Sequence, residues 1–301
     1  MLDMFTQNIN PYYLQVANLL GIYIILALGL NLITGVTGQL SFGHAAFMSI
    51  GAYTAALLTL KMHLPFALSL LAGGCVACIW GVLIGFPTLR LTGDYLGIAT
   101  LGFGEIVLVV FTNLQITGGA IGLAGIPRYT NVFVVYLLVA ITVYCMYRIQ
   151  YSRFGRALLA IREDEIAAAA MGINTTIYKV QAFAIGAFFA GLAGGLYAHL
   201  LQYLNPNDFG FARSFEILNF VVLGGLGSIP GTILGTVVLT LAPEFLRFIA
   251  EYRMMIYGLL LVVMMIFRPN GLLGGVDLSR VIKRYRSKRL ERASARSISS
   301  S

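Results

Sequence analysis

Charge is what this sequence has least of. Asp, Glu, Lys and Arg make up only 11% of its 301 residues, while 58% are hydrophobic. Ordinary soluble domains carry about 25% charged residues, and no soluble interior of this size would hide so much apolar surface. The scarcity excludes a soluble globular class and leaves an integral membrane protein. Cysteine is nearly as rare, with three in the chain. Cys75 and Cys78 form a C-x2-C inside an apolar run, without the second pair or the nearby histidines that a metal or redox site needs. Packing between helices is the plainer reading of both. No G-x4-G-K-[ST] phosphate loop, zinc motif or G-x-S-x-G nucleophile motif occurs. No catalytic role and no cofactor are therefore expected for this chain itself, and any energy must come from a partner or an ion gradient. A cleavable signal peptide is not expected either: Asp3 stands where a basic region belongs, and the first apolar run is too long.

The basic excess is confined to one place. The formal net charge is +8, and residues 279–301 hold eight bases and one acid, a net of +7. This Ser/Arg-rich segment reads as a disordered cytosolic tail touching anionic lipid, appended to a membrane domain over 1–278. No aromatic interleaving or binding fold accompanies it, so nucleic acid is not an expected partner.

What the chain does have is long apolar runs, several near the roughly 20 residues that cross a bilayer. Spans are predicted at 12–34, 41–60, 65–87, 95–112, 131–149, 177–200, 214–227, 229–248 and 254–268. The fold class is an all-α polytopic bundle of about 8–9 spans. Arg148, Arg153, Arg156, Arg162 and Lys179 in and around the polar stretch 151–176 place it in the cytosol with the tail. The N-terminus and the loop 118–130 are then outside. The glycine-rich run 224–231 is the turn after a half-length helix. Stripes of small residues (Ala187, Gly191, Gly195 and Ala190, Gly194, Ala198, with Gly231 and Gly235) report close helix packing and are also compatible with a dimer seam.

Polar residues inside spans are costly and usually functional. The uncharged break TGVTGQLSFG at 34–43 is either a plain turn or non-helical backbone buried in protein, where transporters place substrate paths. Gln39, Ser41 and His44 lie in or beside it. Each could line a path or satisfy a helix end, and Asn31 and Asn219 are open to the same two readings. Glu105 is the most deeply placed acid. It could meet a substrate ammonium or an inward base, or be solvated near the outer interface. Glu216, three residues after Arg213, is an ion pair or a ligand.

The segment 155–173, GRALLAIREDEIAAAAMGI, has charges at Arg162, Glu163, Asp164 and Glu165. An alanine-rich helix follows and a glycine stops it. By pattern it is an amphipathic connector or a docking element. It resembles the ATPase-coupling loop of ABC importer permeases, in which Glu-Ala-Ala is followed after three residues by Gly. Ala167, Ala168 and Gly172 fit that pattern, whereas Ile166 holds the glutamate position with Glu165 one place earlier. That departure is typical of the branched-chain amino-acid permeases. The blocks GLNLITGVTGQLSFGHAAFMSIGAY (ending at Tyr53), FGFARSFEILNFVVLGGLGSIPGTILG and RPNGLLG resemble the same family, and REDEIAAAAMGIN is similar to its LivM type rather than its LivH type.

The resemblance implies a permease that imports leucine, isoleucine or valine across the bacterial inner membrane by ATP-driven alternating access. Its partners would be a second permease, two cytosolic ATPases holding ATP and magnesium, and a periplasmic or lipid-anchored binding protein. Arg156, Arg162, Glu163, Asp164, Glu165, Ala167, Ala168 and Gly172 would form the coupling surface. Asn31, Gln39, Ser41, His44, Tyr53, Glu105 and Asn219 are the candidates for the substrate path. Urea, short amides or other amino acids are alternative substrates within the family, and an ion-coupled secondary transporter is the alternative class.

Overall fold

The computed structural model describes residues 11–88, 91, 93–245, 258, 262 and 271–272. The tail, most of the span expected at 254–268 and most of the RPNGLLG motif lie outside these residues. The described chain is almost entirely helical. The helices are α1 (Pro11–Leu30), α2 (His44–Lys61), α3 (Phe66–Thr88), α4 (Asp94–Asn113), α5 (Val132–Gln150), α6 (Arg153–Glu163), α7 (Glu165–Ala170), α8 (Thr175–Leu201), α9 (Phe211–Gly224) and α10 (Ile229–Phe245). Five of them are long and apolar enough to cross a membrane: α1 with its extension to Val36, α3, α4, α5 and α8. The chain is a multi-pass helical membrane protein.

Helices α1, α2 and α8 form the centre. Nearly every residue of α1 beyond Asn18, of α2 up to Ala56 and of α8 beyond Phe183 is shut away from the surface. Enclosure lets α2 keep His44, Ser49 and Tyr53 and fall short of a lipid-facing helix in apolarity. Helices α3, α4 and α5 lie outside and present Leu68, Ile79, Ile98, Val109, Leu137 and Ile141 outward. Cys75 is on this outer face rather than between helices, and all three cysteines are free.

The small-residue stripes of α8 are spent inside the chain. A Cβ on Gly191 would meet the Ala77 methyl at 2.6 Å, and one on Gly194 would meet the Met48 carbonyl oxygen at 1.9 Å. Only glycine lets α2, α3 and α8 approach so closely. The stripes are therefore an internal packing surface, which removes the dimer-seam alternative for them.

Two ends of the bundle are distinct. At one end the strands β1 (Leu123–Ala124) and β2 (Tyr203–Leu204) pair antiparallel, and the Tyr203 hydroxyl donates to the Ile121 carbonyl. The loops 114–131 and 202–210 thus share that end. The uninterrupted helix α5 separates it from the other end, where α6, α7 and the turn between α9 and α10 lie.

Candidate functional site

The chain between α1 and α2 widens before it breaks. Asn31–Val36 is a π-helical turn, and every one of its residues is buried. The Thr37 amide and hydroxyl both donate to the Leu32 carbonyl, at 3.2 and 2.9 Å. Residues 38–43 then run without helix; Gln39, Ser41 and Gly43 are buried, Leu40 and Phe42 half-buried, and Gly38 exposed. Of the two readings of this break, the structure has buried non-helical backbone and not a plain surface turn. A widened turn leaves carbonyls without their usual partners. Here the Ile33 carbonyl is met locally by the Gln39 amide at 3.1 Å, and the Gly35 carbonyl from a distant helix.

Arg162, in the last turn of α6, donates its guanidinium to the Gly35 carbonyl oxygen. Asn31 Oδ1 accepts from the Gly227 amide at 2.8 Å, and Gln150 Nε2 donates to the Gly227 carbonyl at 2.8 Å. Arg162 therefore joins α6 to the π-turn, while Asn31 and Gln150 join that turn and α5 to the α9–α10 turn. Leu272, within RPNGLLG, donates its amide to the Leu223 carbonyl at 2.8 Å and packs the same corner.

Helix α6 ends at Glu163, and the chain is redirected at Asp164. Its carboxylate caps α7 by accepting from the amides of Ile166 and Ala167, at 2.9 and 3.0 Å. Such a cap stabilises a helix start by about 1 kcal/mol. The alanine-rich helix expected after the charges is thus six residues long, starting at Glu165. At its far end the Gly172 amide bonds to the Ala169 carbonyl, and the Ile173 amide to the Ala168 carbonyl. Gly172 takes φ +86° with no atom within 4 Å of a virtual Cβ. This is the left-handed glycine cap that the sequence led us to expect.

Two charges that the sequence puts on the docking rim are tied inward. Arg162 is one. Glu165 is the other: it pairs with Lys179 of α8, whose side chain is 8% exposed. Both remain open to the surface, Arg162 exposed and the Glu165 side chain 40% exposed, but the rest of what α7 turns outward is apolar. Ile166 and Met171 are 83% and 84% exposed, flanking exposed Ala167, Ala169 and Ala170. Ala168 is buried. Glu163 and Arg156 are exposed, and Arg156 donates to the Tyr151 carbonyl at 3.3 Å.

The candidates for the path do not gather at one point. Gln39, Ser41 and His44 are buried at the break, and both amide atoms of Gln39, the Ser41 hydroxyl and His44 Nδ1 have no protein partner. His44 Nε2 bonds to the Leu26 carbonyl at 3.2 Å, so that nitrogen carries the proton. Buried polar atoms are normally satisfied, so these are the groups with capacity left for a polar guest or water. Tyr53 belongs to the opposite end, its hydroxyl donating to the Leu204 carbonyl at 3.4 Å and its ring stacked on Phe111. Asn219 is half-buried on α9. Glu216 is an ion pair with Arg213 at 2.7 Å, and Arg213 also donates to the Tyr23 hydroxyl at 2.8 Å. Glu105 stands near the middle of α4 on its outward face, beside Ile106 and Val109, with no ion pair among the described residues.

Sequence reasoning missed Gln150, Lys179 and Gly227 as members of the site. A buried lysine opening an apolar span was a usable signal for Lys179. Gly227 was visible only as part of the glycine-rich turn 224–231, and nothing local marked Gln150.

Comparison with known proteins identifies the family. A family model described as the branched-chain amino acid transport system permease component matches residues 12–265. The high-affinity branched-chain amino acid transport system permease protein LivM of Salmonella typhimurium is 41% identical over 294 residues, covering 86% of this chain and 69% of the relative. The Escherichia coli K12 protein of the same name has the same identity and coverage. LivH of Escherichia coli K12 is 26% identical over 292 residues, covering 86% of this chain and 93% of the relative. No solved structure matches. The chain belongs to the permease family of branched-chain amino acid transport systems, and within it stands nearer the LivM type than the LivH type.

Proposed function

We propose that this chain is the permease subunit of an ABC importer that moves leucine, isoleucine and valine across the bacterial inner membrane. It pairs with a second permease, two ATPases that hold ATP and magnesium, and a substrate-binding protein. Up to Phe245 the chain crosses eight times, with the start of α1 outside and α6 and α7 in the cytosol. Helix α9, at 14 residues, rises only about 21 Å and is one half of a short hairpin with α10.

The observation that carries the reading is the form of α7. It is a capped, glycine-terminated helix with an apolar outer face, attached behind to the bundle through Arg162 and Glu165. A helix that docks on a cytosolic ATPase and passes its motion inward needs both halves of that description. It works only by binding the ATPase states with different affinity.

Glu105 supports a second permease. An ionised carboxylate at mid-depth is strongly disfavoured against lipid chains, so the α4 face that carries it is covered by the partner permease or lines the aqueous path beside it. The unsatisfied atoms of Gln39, Ser41 and His44 supply polar contacts further along that path, near the α7 end.

The test is reconstitution. The four-subunit complex with its binding protein, in liposomes, takes up labelled leucine only with ATP, and isoleucine and valine compete. Competition by urea or a short amide in their place reassigns the substrate. Uptake by this chain alone under an ion gradient overturns the ABC assignment.

A further inference from the structure

Helix α5 ends where tyrosines crowd the outside of the bundle. Tyr144, Tyr147 and Tyr151 are all exposed, and the rings of Tyr147 and Tyr151 lie 4.7 Å apart. Amphipathic rings of this kind collect at the headgroup level of a bilayer. At the same level Arg148 is exposed, and among the described residues it makes no ion pair and no hydrogen bond. It borders an open surface groove of about 550 Å³ between α5, α6 and α8, lined with it by Ile149, Phe154, Gln181, Ala184 and Ile185. Ser152 is on the wall as well, but its hydroxyl is engaged, donating to the Ile149 carbonyl at 2.7 Å and accepting from the Gly155 amide at 3.2 Å. The free polar groups are therefore one guanidinium and one amide, and the rest of the wall is aliphatic or aromatic.

We propose that this groove binds an anionic phospholipid. Arg148 is the countercharge of its phosphate and Gln181 a second donor, while the acyl chain lies against Ile149, Ala184 and Ile185. Free phosphate would satisfy Arg148 but has no use for an apolar wall. An acidic loop of a cytosolic partner would satisfy it too, but would leave the same wall uncovered. A lipid matches the charge, the wall and the tyrosine level together. The site has a mechanical setting: Phe154 belongs to α6 and stacks on Tyr178 of α8 at 5.4 Å. A lipid here bridges the joint at which the chain leaves the membrane for α7. The inference rests on the membrane placement of α5 and α8 and not on the substrate.

The experiment is native mass spectrometry of the complete complex in detergent. Phosphatidylglycerol and phosphatidylcholine with identical chains are titrated in, and inorganic phosphate is added in a separate arm. Phosphatidylglycerol is expected to be retained and phosphatidylcholine lost. Arg148→Gln should lower phosphatidylglycerol retention about fivefold, as fits the loss of one lipid-facing cation, with an unchanged melting temperature. Arg153→Gln, which alters an exposed base at the same end but off the groove wall, should leave retention unchanged. Equal retention of both lipids, or an equal loss in Arg153→Gln, overturns the proposal. So does displacement by millimolar phosphate. Retention in the isolated chain that disappears in the complex assigns Arg148 to the partner and also overturns it.

Discussion

The guanidinium of Arg162 ends on the carbonyl oxygen of Gly35, 127 residues away in sequence. This exposed charge, expected on a docking rim, also closes the widened end of the first span. The position suits it, because a cation at a helix C-terminus meets both the unpaired carbonyls and the negative end of the helix dipole.

Arg162 should therefore matter for transmission more than for assembly. Arg162→Gln is expected to leave ATPase co-purification within about twofold of the native complex. Leucine uptake should fall roughly tenfold, in line with the 1.5–3 kcal/mol of a charge-assisted hydrogen bond. Arg162→Lys should recover part of it. Loss of the ATPases in the glutamine variant would return Arg162 to the rim.

Gly172 offers a cleaner test of the coupling helix, since nothing crowds it and only its positive φ is at stake. A β-branched residue there costs about 1–2 kcal/mol of backbone strain. Gly172→Val should lower substrate-stimulated ATP hydrolysis and uptake together while the permease still inserts and pairs. Gly172→Asn, which tolerates the left-handed region better, should lie between. Normal uptake in the valine variant would make α7 a connector only.

Glu105 separates seam from surface. Glu105→Gln keeps the shape and removes the charge, so a role in recognising the substrate ammonium predicts a KM for leucine raised about tenfold or more with the heterodimer intact. Glu105→Leu should behave alike if the carboxylate lines a path. If instead leucine there leaves transport untouched, the α4 face meets lipid or an inert seam. Substrate titration in proteoliposomes reads the difference.

Sidedness can be checked on whole cells. With Cys75, Cys78 and Cys145 replaced, a cysteine at position 164 should resist membrane-impermeant maleimide, and one at position 120 should react. Labelling of position 164 from outside would invert the bundle. The opposite ends of α5 make the two sites exclusive, so both reacting would point to permeable cells.

The spans were legible because each apolar run is bounded by glycine, proline or charge. The helices from α1 to α8 that cross the bundle begin and end within four residues of the expected limits. The Gly172 cap was legible for the same local reason. The ties that give the site its shape were not. Lys179 and Glu165 are 14 residues apart across one turn, and Gln150 reaches Gly227 through a corner built by four elements. Pairings of that kind are set by tertiary packing and leave no period in the sequence. The small-residue stripe of α8 was visible, but whether it faces a neighbour in the chain or a second subunit depends on α2 and α3 together, which no single helix records.

The two-residue ladder between Leu123–Ala124 and Tyr203–Leu204 makes a closed circuit of the chain between them. That circuit contains α5, α6, α7 and α8, begins and ends at the far side of the bundle, and is clasped there by the Tyr203 hydroxyl on Ile121. Helix α7 is thus not a pendant arm but the tip of a drawn loop with both roots fastened. A displacement at that tip has no slack to run out through the roots. It is borne by the flexing of α5 and α8 themselves, or it leaves the circuit sideways through the rungs that Arg162 and Gln150 extend to Gly35 and Gly227.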